Sequence, residues 1–319
     1  MSRFVATRFV VAFSLLLVAL GFSAHPASAA RVIDTNTVGS TPMGIALTPD
    51  GSKAYVTNSA SGTVSVIDTA TRSVTSTITT GGQPQAIAMS PNGSQVFVAD
   101  YLNGTYKVIA TSSDTVVGTA AKPTSPRNCD NPTSIAYHPT GSPVYTGCDQ
   151  SVFAINSSTY TNSWVTTGST SVADVAVSGD ASELVYAGGG HVIFFNSGWN
   201  PGVPENPRAV AIAYDGDTAY SANANGSVTS LYRPTATIAN WAVGTDLSDI
   251  VLRESDDRIY VTDRSANQLI VQELSTHTTL STFSVGTTPS ALAISPDGTR
   301  AYVVNIASNS VSVIDLTDG

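Results

Sequence analysis

One short phrase returns seven times along this 319-residue chain, and any fold for it must use that phrase seven times over. The phrase is a short apolar strand, a turn, an aromatic-bearing strand, a polar loop and a third strand. The clearest copy reads Gly44-Ile45-Ala46-Leu47-Thr48-Pro49-Asp50-Gly51, then Ala54-Tyr55-Val56-Thr57-Asn58, then Val64-Ser65-Val66-Ile67-Asp68. The turns begin at 49, 91, 139, 179, 214, 254 and 296, so the spacings are 42, 48, 40, 35, 40 and 42. A period near forty, built from short β segments, is the mark of four-stranded propeller blades. No stretch shows sustained helical periodicity. Pro49-Asp50-Gly51, Pro91-Asn92-Gly93 and Pro296-Asp297-Gly298 form turns by mechanism: proline presets φ, and glycine tolerates positive φ. The sequence therefore predicts an all-β, seven-bladed β-propeller of four-stranded antiparallel blades.

The repeat also explains its own residue choices. Inner strands converge on the axis, where space is short, and Ala46, Ala88, Ala136, Ala176, Ala211 and Ala293 recur there, with Val251 the exception. Tyr55, Phe97, Tyr145, Tyr220, Tyr260 and Tyr302 sit on the second strand, where an aromatic fills the widening gap between blades. Tyr55-Val56-Thr57-Asn58 is the literal YVTN motif, with close variants at 260–263 and 302–305. Over residues 31–319 the chain resembles the YVTN-type propeller repeat proteins, which include surface-layer-associated and periplasmic members. That resemblance implies blade construction and brings no catalytic residue. Tyr145-Thr146-Gly147-Cys148 departs from the motif most clearly.

The N-terminus reads as an address. Arg3 and Arg8 precede an apolar run from Phe9 to Phe22, followed by Ala27-x-Ala29. The run is shorter than the ~20 residues a membrane span needs, and a cleavage pattern follows it. The expected division is a secretory signal over 1–29 and one propeller domain over 30–319. The product is expected outside the cytoplasm: periplasmic, extracellular or at the cell surface, with no membrane span after cleavage. Losing Arg3 and Arg8 takes the net charge from −9 to −9 − 2 = −11. Such an acidic chain disfavours general nucleic-acid binding. A monomer is expected. Cys129 and Cys148 are the only cysteines, and in an oxidising compartment they are expected to pair. No C-x-x-C, no H-E-x-x-H and no complete calcium loop occurs, so no metal and no cofactor are expected.

Ring closure follows from a miscount. The last copy ends at Val311-Ser312-Val313-Ile314-Asp315, a third strand with no fourth. Arg31 to Val38 leads into Gly39-Ser40-Thr41-Pro42, as a fourth strand leads into Gly81-Gly82-Gln83-Pro84. The N-terminal strand should therefore complete the last blade. Blade four should lack a regular outer strand, because 197–206 is rich in proline and glycine. That leaves either an edge a partner could use or simple decay of one blade.

Candidate function falls on the face holding the crossovers between blades, here termed the crossover face. The loop ending each second strand lies there too, so Cys129 and Cys148 share it. The first residues of the inner strands form a ring at the axial entrance: Met43, Gln85, Thr133, Ala173, Arg208, Ser248 and Ser290. The next position holds Asp174 and Asp249 among small residues. Asp174, Arg208 and Asp249 come from three consecutive blades. A cationic fork between two carboxylates could bind a polar ligand, with Gln85 and Thr133 beside it, or could be a structural ion pair in a watery channel. His191, after Gly188-Gly189-Gly190, could reach the rim. No G-x-S-x-G nucleophile motif occurs. Three functions stay open: a non-enzymatic binding or interaction scaffold, a lactonase- or lyase-like propeller enzyme with an axial site, and a passive envelope component. The expected partner is a protein or a small polar ligand on the crossover face.

Overall fold

In a computed structural model, residues 31–124, 128–167, 171–203 and 205–317 are described. The expected signal segment over 1–29 lies outside them, as do residues 125–127 of the crossover into blade three. Seven antiparallel sheets follow one another around an axis, six of four strands and one of three. Each runs from an inner strand outward in chain order, as Pro42–Leu47, Lys53–Asn58, Thr63–Asp68 and Ser73–Thr79 do in blade one. The last blade takes its outer strand from the other end of the chain. Arg31–Thr37 pairs antiparallel with Ser310–Asp315, from Arg31↔Asp315 to Thr37↔Ser310.

The core is divided in the same way. Seven apolar clusters lie between neighbouring blades, so each blade is held by burial on both faces. Tyr55, Phe97, Tyr260 and Tyr302 are fully buried in these wedges, and Tyr145 and Tyr220 are half-buried. Their hydroxyls find partners at the cluster edges where geometry allows, as when Tyr55 Oη donates to Asp114 Oδ1 of blade two at 2.5 Å.

The second strand ends on a buried asparagine or aspartate in five of the seven blades. Asn58, Asp100, Asn223, Asp263 and Asn305 are all buried at this position. Asp100 Oδ1 accepts the Gln83 N–H at 2.9 Å, and Asp263 Oδ2 accepts the Thr245 N–H at 2.6 Å. Each carboxylate thus ties its strand to the crossover entering its own blade. Close approach demands glycine there: a Cβ at Gly82 would lie 2.0 Å from Asp100 Oδ2. In blade three the same position is Cys148, and it is bonded covalently to Cys129 in the preceding crossover, with Cα atoms 5.3 Å apart. The disulfide does the work of the hydrogen-bonded latch in the blade whose crossover is longest.

Blade four has three strands, Asp174–Val177, Leu184–Gly188 and His191–Phe194. The missing outer strand agrees with the sequence, but no free edge results. Phe194 N donates to Trp199 O at 2.9 Å, and Val203 N donates to Gly190 O at 2.7 Å. Trp199 also lies against the Phe194 ring, 5.0 Å between centroids. Glu183, only 2% exposed, accepts the N–H of Asn196 at 2.5 Å and of Ser197 at 3.2 Å. Residues 196–203 therefore cover the edge that the sequence left open to a partner.

Candidate functional site

The inner strands leave an axial cavity of about 230 Å³, open on the crossover face. Gln85, Thr133, Asp174, Arg208, Ser248 and Asp249 are among the residues lining it. The first position of the inner strand is mostly occupied with stitching. Thr133 Oγ1 donates to Val172 O at 2.6 Å, Ser248 Oγ to Pro289 O at 2.9 Å and Ser290 Oγ to Met43 O at 3.1 Å. Each bond reaches from one blade to the next. Thr133 thus has a structural partner, whereas the half-buried Gln85 amide makes no side-chain hydrogen bond among the described residues.

Asp174 and Asp249 hold the next position, in blades four and six. Asp174 Oδ1 accepts the Val175 N–H and Oδ2 accepts the Val210 N–H, both at 2.9 Å. Asp249 repeats the arrangement with Ile250 and Leu292, both at 2.8 Å. Each carboxylate joins its own inner strand to that of the following blade. A carboxylate offers about four lone-pair sites, so acceptor capacity remains on both. Neither has an ion-pair partner among the described residues.

The cationic fork is not formed as the sequence suggested. Arg208 Nη1 lies 2.6 Å from Asp246 Oδ1, and its neighbours in the cavity are not its ion-pair partners. Asp246, in the crossover into blade six, was missed because nothing in its local sequence marks which blade its side chain meets. His191 is also displaced from the expected place. It is absent from the cavity lining, and its Nδ1 lies 3.1 Å from Asn200 Oδ1 beside the blade-four edge. The strand it begins is third from the axis, too far out to bring a side chain to the rim. Among the described residues no three His, Cys, Asp or Glu side chains converge as metal ligands. Among the described residues Asp174 and Asp249 are the only carboxylates lining the cavity, which is fewer than a protein-held divalent metal needs.

Burial governs how these carboxylates titrate. It raises Asp249 from 3.8 to about 7, and raises Asp174 to about 7 with a further push from the Asp249 charge. Between those values the folded chain holds protons that the unfolded chain has released. These two groups therefore make stability fall as pH rises from about 4 to about 7, with no further loss above. The turn-face aspartates act in the opposite sense. Asp50 is lowered to about 2 by the Thr48 hydroxyl and by the N–H and Oγ of Ser52. Its contribution is complete above its unfolded value and disappears as pH falls toward 2. Maximal stability is expected on the acid side of neutrality, and Asp249→Asn should flatten the decline. Denaturant midpoints at about pH 5 and about pH 8 measure this. Equal declines in the variant and the parent chain would contradict the assignment.

Fold and site together define a seven-bladed β-propeller with a polar, acid-lined axial cavity. The family model described as "Lactonase, 7-bladed beta-propeller" matches residues 217–318, from the second strand of blade five through blade seven. A solved structure titled "Kuenenia stuttgartiensis Hydrazine Synthase" superposes with a TM-score of 0.79 at 19% identity, over 89% of this chain and 98% of that one. At that identity the likeness is one of fold. No curated protein matches. Among the described residues no helix is long and apolar enough to cross a membrane.

Proposed function

We propose that this chain is an exported binding propeller whose axial mouth, on the crossover face, takes a small polar ligand. The observation that carries the reading is the pair Asp174 and Asp249. They line one solvent-accessible cavity, at the same register of two blades, without an ion-pair partner. The remaining lone pairs suit a ligand that donates hydrogen bonds, and the free Gln85 amide can both donate and accept. Arg208, already held by Asp246, supplies a fixed guanidinium whose remaining N–H groups can donate at the rim. Isothermal titration of the mature chain with primary amines, guanidines and polyols tests the reading. At least one class should bind, and Asp174→Ala and Arg208→Ala should each weaken it by about tenfold, the loss of one hydrogen-bonded contact at the mouth. Binding that survives both substitutions unchanged removes the axial site from consideration.

A second reading, an axial enzyme, is favoured by the lactonase-model match, because residues 217–318 contain both Asp246 and Asp249. Hydrolysis of simple lactones by the mature chain, lost in Asp249→Ala, would move the assignment there.

A further inference from the structure

Each inner strand has one edge against the second strand of its blade and one toward the axis. In an antiparallel ladder a residue sends both backbone groups to the same side, and the side alternates along the strand. Val175, Val210, Ile250 and Leu292 hold one register position in blades four to seven. Their N–H groups go to Asp174 or Asp249 rather than to the second strand, so this position faces the axis. In blades one to three it is held by Ile45, Ile87 and Ile135. They lie opposite Val56, Val98 and Thr146, two residues before the end of the second strand, as Val210 lies opposite Ser221. Their N–H groups therefore face the axis too, and no side chain among the described residues accepts from them.

The residue one position earlier decides which N–H groups are capped. Asp174 caps its own strand and that of blade five, and Asp249 caps its own strand and that of blade seven. In blades seven, one and two the same position holds Ala291, Gly44 and Ala86, none of which offers a side-chain acceptor. The cavity is thus divided. Blades four and six bring two carboxylates, and Arg208 between them is held by Asp246. Blades one to three bring uncapped N–H groups. Gln85 and Ser134 line the same half. Ser134 is 5% exposed, and its hydroxyl has no hydrogen-bond partner among the described residues.

We propose that the axial mouth takes a small zwitterion, an amino acid or related ammonium carboxylate. Its ammonium lies toward Asp174 and Asp249, and its carboxylate lies on the N–H groups of Ile45, Ile87 and Ile135. This rests on the axial binding reading above and names the ligand class within it. Backbone N–H groups bind a carboxylate through charge-assisted hydrogen bonds, and two carboxylates do the same for an ammonium. A simple anion is repelled by Asp174, Asp249 and a net charge of −9. A simple amine leaves the donor half without an acceptor, which forfeits those bonds. A zwitterion satisfies both halves and is itself neutral. The cavity of about 230 Å³ restricts it to a small molecule.

Isothermal titration of the chain from residue 30 is the test. It is run at about pH 8, where both carboxylates, raised to about 7 by burial, are charged. The probes are glycine, β-alanine, γ-aminobutyrate and ε-aminocaproate. Each is compared with the amine that carries a methyl group in place of the carboxylate, and with the matching carboxylate alone. One length should bind at least about tenfold tighter than its amine, and the carboxylates alone should not bind. Ala86→Asp repeats in blade two the cap that Asp174 makes in blade four, with Ile87 and Ile135 as its donors. It should abolish the advantage of the zwitterion over its amine, and a thermal melt establishes that the variant folds. If it does not fold, the length series on the parent chain decides. Zwitterions that bind no tighter than their amines overturn this inference, and so does an advantage that survives in folded Ala86→Asp. The axial reading stands in those cases if an amine, guanidine or polyol still binds, and falls as well if none does.

Discussion

Deleting residues 31–37 from a chain that begins at residue 30 should lower its stability by on the order of 3–6 kcal/mol and open the ring. The strand pairs with Ser310–Asp315 along its length, and its Asn36 is 8% exposed. Ile33 and Val38 pack against the cluster between blades seven and one, beside Val311 and Val313. Removing the strand unmakes ladder bonds worth about 1 kcal/mol each and exposes that apolar surface. The loss is not local, because blades one and seven meet at the only place where the ring joins its own ends. Urea unfolding measures it: the midpoint should fall, and a peptide of residues 31–38 added in trans should restore part of the loss. An unchanged midpoint would mean that the ring closes without this strand.

Replacing Cys129 and Cys148 by serine should cost about 3 kcal/mol, the loop-closure value for a bridge spanning a short segment. The two cysteines are 19 residues apart in sequence and fully buried. Two further effects add to the loss. The hydroxyls enter a cluster that contains Phe97, Ala99 and Val144, and the crossover of blade three loses the latch that Asp100 and Asp263 supply elsewhere. Hydrogen exchange should locate the damage in residues 119–131 and the end of the second strand of blade three. Uniform exchange across all seven blades would contradict a latch confined to one crossover.

The architecture was legible because each blade carries its own punctuation. Pro49-Asp50-Gly51 and its copies set the period. The repeat count paired the third strand at 310–315 with the N-terminal strand, and Arg31–Thr37 does pair with it. Cys129 and Cys148 were legible as a pair because up-and-down topology puts both on one face. The axial ring was legible by register, and Gln85, Thr133, Asp174, Arg208 and Asp249 do line one cavity. What escaped was every feature set by reach across blades. Arg208 turns to Asp246 in the next crossover, a choice that depends on side-chain length and loop path. His191 begins a strand, but strand order from the axis decides whether it can reach the mouth. Blade four lost its strand as expected, yet residues 196–203 cover the gap through backbone bonds and Glu183, which no hydrophobic pattern encodes.

The central claim is that ligand binding belongs to the axial mouth rather than to the loops or the rim. A crystal structure of the mature chain, soaked with whichever amine, guanidine or polyol binds in solution, tests it most directly. The expected result is ordered density within hydrogen-bonding distance of Asp174 and Asp249, lost in Asp174→Ala crystals. Density elsewhere, with the axial cavity holding only water, would contradict it.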